Sequence, residues 1–158
     1  VTSQAASRPC NGGAPVALYL HIPYCLAKCP YCDFNSYAAR VWPEDAYADA
    51  LLAELAHAVE SPPFAGATAH TIFFGGGTPS LFAPRTIARL LAGVRDAIAV
   101  ADDAEITLEA NPGTVDEQRL AGFREAGVNR ISFGIQSFQP ELLLALGRRH
   151  SVADSRRA

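Results

Sequence analysis

His21 to Ser36 reads HIPYCLAKCPYCDFNS and places Cys25, Cys29 and Cys32 within eight residues, in a chain of 158 residues that has four cysteines in all. Two cysteines suffice for a disulfide and four for a tetrahedral zinc site, so a tight trio implies a metal centre with something left over. Two donor sets answer to it. One is structural zinc, completed by His21 as fourth ligand. The other is a cluster of four irons and four sulfides, which suits three thiolates better because it leaves one iron open for a substrate or cofactor. Tyr24, Lys28 and Tyr31 flank the loop, where packing and a solvated charge explain them as well as a direct role does.

Outward from the trio, strands alternate with helices. VALYLHI (Val16 to Ile22) reads as a buried strand that runs straight into the cysteine loop. Asp45 to Val59 carries Tyr47, Leu51, Leu55 and Val59 at helical spacing just after Pro43. HTIFF (His70 to Phe74) is a second strand, followed by GGGTPS and a helical pattern through Ile87, Leu90, Leu91, Val94 and Ile98. EITLEA (Glu105 to Ala110) is a third strand, then NPGT and a helix from about Asp116 to Glu125, stopped by Gly127. NRISFGI (Asn129 to Ile135) is a fourth strand, with a short helix starting near Pro140. This rhythm implies parallel strands joined by right-handed crossovers, an α/β sheet or barrel. The cysteine trio, the glycine run, Glu109, Asn111 and Gln136 all fall at or just past the C-terminal ends of strands, where parallel α/β folds bind ligands.

Composition narrows the function classes. With 49% hydrophobic residues the chain can bury one sizeable core. A formal net charge of -3 and no Lys/Arg-rich tract argue against nucleic acid as a partner. No apolar run approaches the roughly 20 residues of a transmembrane segment, and the Ser/Gly/Pro-rich leader, residues 1–15, lacks the pattern of a signal peptide. The expected compartment is the cytoplasm, where thiols stay reduced and serve metals or catalysis. Cys10, in the leader, reads as a bystander.

The remaining motifs are individually weak. Gly75, Gly76, Gly77, Thr78 and Pro79 let a backbone approach a ligand, yet a tight turn explains them too, and the run lacks the pattern of a P-loop or a dinucleotide fingerprint. Glu109, at a strand end, is placed to accept both hydroxyls of a ribose; alone, a solvated loop carboxylate is the better reading. Gln136 and Arg148-Arg149-His150 are polar surface or ligand contact, and Asn111-Pro112-Gly113 is turn chemistry first.

Taken together, YLHIPYCLAKCPYCDFNS, FFGGGTPS, EANPGT, NRISFGIQSF and LGRRH resemble the radical S-adenosylmethionine superfamily, specifically its coproporphyrinogen dehydrogenase and HemW-type heme chaperone branch, from about Leu18 to His150. The resemblance implies a partial TIM-like barrel of parallel βα units with about four strands present. It implies that Cys25, Cys29 and Cys32 hold a [4Fe–4S] cluster whose open iron is chelated by S-adenosylmethionine. It also implies that Tyr19, Tyr31, Gly76, Gly77, Thr78, Glu109, Gln136 and Arg148 contact that cofactor, with Glu109 on the ribose. In the superfamily an electron from the reduced cluster splits the sulfonium to methionine and a 5′-deoxyadenosyl radical. An electron donor is therefore an implied partner, as are heme or porphyrin and, for a chaperone, apo-hemoproteins.

Two departures from the family pattern refine the expectation. The dehydrogenase branch usually has a further cysteine two residues after the trio, where this chain has Phe34. That favours heme binding and delivery over oxygen-independent coproporphyrinogen oxidation; a structural zinc module is the alternative from another class. The family's barrel also has six strands and a C-terminal domain, so residues 16–158 read as the N-terminal part of the core domain. The heme-binding residues are expected outside this stretch.

Overall fold

The computed structural model describes residues 14–62 and 64–158. Its main sheet consists of β1 (Pro15–Ile22), β4 (Thr68–Gly76), β5 (Ala99–Ala110) and β6 (Arg130–Phe133), all parallel and in the order β1-β4-β5-β6. Between β1 and β4 lie a two-residue parallel pair, β2 (Tyr24–Cys25) with β3 (Tyr37–Ala38), and helix α1 (Glu44–Val59). Helices α2 (Pro84–Ala97) and α3 (Glu117–Ala126) connect the later strands, and α4 (Pro140–Ala145) and α5 (Val152–Arg157) follow β6. Each main strand pairs with its predecessor in the same direction. With no reversal of order there is no switch point of the doubly wound kind, and the sheet is an arc of a βα barrel.

The two faces of the arc are chemically different. Ile72, Phe74, Ile106 and Leu108 turn toward the helices and are buried there with Ile87, Leu90, Leu91 and Val94 of α2. That i, i+3, i+4, i+7 stripe is the one the sequence displays. α1 packs more loosely: Tyr47, Leu51, Leu52, Leu55 and Val59 are partly buried against the same core. The opposite face carries mixed layers set by register. Tyr19, Phe73, Thr107 and Arg130 share one, and Glu109 is level with Ser132 in another. Here Thr107 donates to Glu105 at 2.8 Å, and Arg130 reaches Thr107 at 3.3 Å and Glu105 at 3.5 Å.

Several elements differ from the sequence reading. β5 starts six residues early, because the chain enters the strand directly from α2. A register shift between Ala69 and Thr71 takes up the extra residues, Asp102 and Asp103 among them. Asn129 stands before β6 and completes its ladder with a side chain, donating from Nδ2 to the Ala104 carbonyl and accepting from the Ile106 N–H, both at 2.8 Å. α5 and the β2/β3 pair were not expected. The α3 stop was: Gly127 adopts φ 114 in the left-handed region.

The glycine run has a role that its sequence does not display. Gly75 and Gly76 belong to β4 itself, and beyond it Gly77 and Thr78 donate to the carbonyls of Ile22 and Tyr24, both at 2.8 Å. The β1–β4 ladder thus continues into the cysteine loop. A Cβ on Gly77 would meet the Tyr24 oxygen at 2.6 Å and the Pro23 carbonyl carbon at 2.7 Å, and one on Gly76 would meet the His21 ring at 2.6 Å. Gly77→Ala is therefore expected to cost about 1–3 kcal/mol of stability, the range for overpacked sites. Gly113→Ala, with nothing within 4 Å, should be close to neutral. Thermal unfolding of the two variants checks this.

Candidate metal and cofactor site

Pro23 to Cys25 is held from both sides. Gly77 and Thr78 grip one edge, and on the other Tyr37 donates to the Pro23 carbonyl at 2.7 Å and Ala39 to that of Cys25 at 2.9 Å. Cys25 is consequently buried, whereas Cys29 and Cys32 are half-buried. A tight turn, Cys32 N–H to Cys29 carbonyl at 3.0 Å, sets the spacing of the second pair. Lys28 shapes the segment after the trio by donating to the carbonyls of Phe34 at 3.0 Å and Ser36 at 3.4 Å. Its charge is therefore engaged within the loop.

All three thiols border one cavity of about 240 Å³. Gly76, Gly77 and Thr78 line it, as do Tyr31, Glu109, Gln136 and Arg148. Seven of the eight residues expected at the cofactor thus face the same space as the trio. Tyr19 does not border it. It lies on β1 with its ring stacked on Phe73, centroids 6.0 Å apart, and its hydroxyl 3.2 Å from His21 Nδ1. Burial raises its phenol pKa, and so does the negative charge of Glu109. Tyr19 therefore lies within electrostatic reach of the cavity wall.

His21 is committed elsewhere. Its Nδ1 meets Tyr19 and its Nε2 lies 2.8 Å from the Asn35 carbonyl, so neither nitrogen is spare for a zinc ion. Among the described residues no three His, Cys, Asp or Glu side chains converge on a point suited to a single ion. Three thiols spread around a cavity fit the corners of a cluster better than one tetrahedral centre. Cys10 lies outside the described residues.

The polar wall is built by the end of β5 and by the loops after β6. Glu109 accepts from the Gly76 N–H through Oε2 at 3.3 Å, and its other oxygen has no partner among the described residues. Burial raises its pKa above the ordinary carboxyl value, with the Gly76 N–H opposing. The solvated-loop reading of Glu109 gives way to a half-buried carboxylate facing the cavity. Gln136 also borders the cavity and holds φ 70, which is strained for a residue with a side chain. Buried His150 braces that segment through Nε2, 3.1 Å from the Ile135 carbonyl, and its pKa is lowered first by burial. Arg149 is exposed. Arg148 points inward: Nη1 lies 3.3 Å from the Cys29 sulfur and 3.4 Å from the Tyr31 hydroxyl, and Nη2 donates to Asn111 Oδ1 and the Gly134 carbonyl, both at 2.5 Å. Its Nε is buried and has no partner among the described residues. An unsatisfied donor on a cavity-lining guanidinium fits an anionic ligand. Asn111, which the sequence places at a strand end as turn chemistry first, meets both Thr78 and Arg148 at the cavity wall.

A parallel βα arc with a thiol trio beside a glycine-lined cavity at the C-terminal strand ends defines a cluster-type barrel protein. The radical SAM superfamily profile matches residues 19–158, and the chain belongs to that superfamily, which implies S-adenosylmethionine and a [4Fe–4S] cluster. It is 50% identical to the heme chaperone HemW of Escherichia coli (strain K12) over 145 residues, covering 91% of this chain and 38% of that protein. Against the mitochondrial radical S-adenosyl methionine domain-containing protein 1 of Bos taurus identity is 43%, over 93% of this chain and 33% of that one. Among solved structures, the radical SAM coproporphyrinogen III oxidase HemN of Escherichia coli superposes with a TM-score of 0.81 at 33% identity, over 90% of this chain and 33% of that chain. The chain thus spans about a third of the length of these relatives. No helix of the described residues is long and apolar enough to cross a membrane.

The raised carboxyl of Glu109 has a stability consequence. A raised acid binds its proton more tightly in the fold than in the unfolded chain. Its contribution is therefore complete below the unfolded value, about 4.3 for Glu, and is lost as pH rises through the folded one. Glu109→Gln should melt at a higher temperature than the parent at pH 7, and the gain should vanish near pH 4. Melting curves at the two pH values check the sign.

Proposed function

We propose that residues 16–158 form the cluster- and S-adenosylmethionine-binding part of a heme chaperone that binds heme and delivers it to apo-hemoproteins in the cytoplasm. The observation that carries the reading is the shared cavity: Cys25, Cys29 and Cys32 border it together with Tyr31, Gly76, Gly77, Thr78, Glu109, Gln136 and Arg148. In this reading the three thiolates hold a [4Fe–4S] cluster, the free oxygen of Glu109 takes the ribose, and Arg148 meets the cofactor's carboxylate. Tyr19 supports Glu109 from the next layer. When bound, the cluster and cofactor together supply one-electron cleavage of the sulfonium, for which an electron donor is required. The protein's part is to orient the cofactor and shield it from water.

The chaperone reading is supported by the higher identity to HemW and by Phe34, which stands where the dehydrogenase branch has a cysteine. Phe34 borders the cavity and is 69% exposed, so the position offers a surface for packing and no thiol for proton or electron transfer. The second reading, oxygen-independent coproporphyrinogen oxidation, is favoured by the likeness to HemN.

Anaerobic reconstitution is expected to load about four irons per chain, and Cys25→Ala, Cys29→Ala or Cys32→Ala to abolish loading. Cys10→Ala should leave it intact. A requirement for Cys10, with one of the trio dispensable, would overturn the ligand set. Glu109→Ala should keep its iron and bind S-adenosylmethionine at least tenfold more weakly in calorimetric titration, the loss expected for charge-assisted hydrogen bonds.

The full-length protein, given S-adenosylmethionine, reductant and coproporphyrinogen, should yield no protoporphyrinogen, yet should bind heme and pass it to an apo-hemoprotein. Multiple turnovers to the divinyl product would establish the second reading instead.

A further inference from the structure

We propose that Asn111 is a positioning residue for the cysteine site, whose amide links two hydrogen-bond donors that each end on a cysteine sulfur. The proposal rests on the cluster reading above. Asn111 Nδ2 donates to Thr78 Oγ1 at 3.0 Å, and that hydroxyl donates to the Cys25 sulfur at 3.5 Å. On the other side Asn111 Oδ1 accepts from Arg148 Nη2 at 2.5 Å, and Nη1 of the same guanidinium lies 3.3 Å from the Cys29 sulfur. The bonds run Cys25, Thr78, Asn111, Arg148, Cys29. They join the cysteine loop to three later segments of the chain.

The residue type follows from donor and acceptor counting. A guanidinium only donates, so the atom facing it must accept. A hydroxyl that spends its proton on sulfur must itself be donated to, so the atom facing Thr78 must carry hydrogen. A side-chain amide meets both demands in one orientation; Asp cannot donate, and an apolar residue can do neither. The turn is closed by the main chain alongside this amide. Thr114 donates to the Asn111 carbonyl from its N–H at 2.9 Å and its hydroxyl at 2.8 Å, so main-chain acceptance closes the turn. Gly134 leaves room for the approach, since a Cβ there would stand 2.8 Å from Asn111 Oδ1.

Donors aimed at a cluster's sulfurs stabilise its more negative, reduced form and raise its potential. Asn111 fixes the direction of both donors. Without it the Thr78 hydroxyl is free to rotate, and among the described residues Arg148 keeps only the Gly134 carbonyl and the Tyr31 hydroxyl as anchors besides sulfur.

The test is a redox titration of the reconstituted full-length protein followed by electron paramagnetic resonance. Asn111→Ala is expected to keep full iron while its reduced-to-oxidised ratio at the wild-type midpoint falls about tenfold, a shift of ~59 mV for one electron. Thr78→Val should shift the potential in the same direction, and the double variant should shift less than the sum. An unchanged potential in Asn111→Ala, or strict additivity, overturns the proposal; so does loss of iron, because Asn111 is assigned no metal bond. Failure of the wild type to take up iron would instead sink the cluster reading. The linkage is then read without metal, from melting temperatures of cluster-free full-length protein carrying Asn111→Ala, Arg148→Gln or both. In the Arg148→Gln background Asn111→Ala should lose at least half of its effect, and an undiminished effect overturns the linkage.

Discussion

The main-chain approach of Gly77 and Thr78 to Ile22 and Tyr24 is the constraint on which the rest of the site depends. Two N–H to carbonyl bonds of 2.8 Å carry the β1–β4 pairing past the ends of both strands. The first cysteine is thereby fixed as firmly as a sheet residue. Side chains are excluded at the crossing because Gly76 and Gly77 face the His21 ring and the Pro23–Tyr24 backbone. The glycines make room for protein first, and by doing so they form one wall of the cavity.

From that crossing the later loops are tied to one another along the same edge of the sheet. Ser80 and Thr114 hydroxyls meet at 2.5 Å, and Arg119 of α3 donates to the carbonyls of Ser80 at 2.6 Å and Phe82 at 2.8 Å. Glu44, at the start of α1, accepts from the Ala83 N–H at 2.8 Å and the Thr86 hydroxyl at 2.5 Å, so one helix caps the next. These bonds fix loops that would otherwise be the mobile part of a βα arc, and a site that must hold a cofactor in one orientation needs that rigidity. Among the described residues Gln136 is the non-glycine with a left-handed backbone, held between the β6 strand and buried His150.

The sequence was misleading where a side chain does a backbone's work or a backbone does a side chain's. Asp102 and Asp103 disguised the first half of β5, because adjacent aspartates are poor strand formers and only the register shift against β4 accommodates them. Asn129 looked like a strand residue and is the stitch that starts the strand. Asn111 looked like a turn residue, and the turn closes on its carbonyl, leaving its amide for Thr78 and Arg148. None of these roles has a local signature, since each partner lies more than twenty positions away.

By itself the sequence determined the βα rhythm, the amphipathic stripe of α2, the stop at Gly127 and the position of the unusual residues at strand ends. These are local properties, written in periods of 2 and 3.6 and in the backbone preferences of glycine and proline. It also determined the donor chemistry of Cys25, Cys29 and Cys32, because thiol spacing survives any fold that keeps the loop intact. Tertiary structure decided that the strands run in one order around an arc, that His21 is consumed by Tyr19 and Asn35, and that Glu109 and Arg148 turn into the thiol cavity while Tyr19 stays a layer away. Those outcomes depend on register and on contacts between segments distant in the chain, where burial and hydrogen-bond satisfaction are settled by packing.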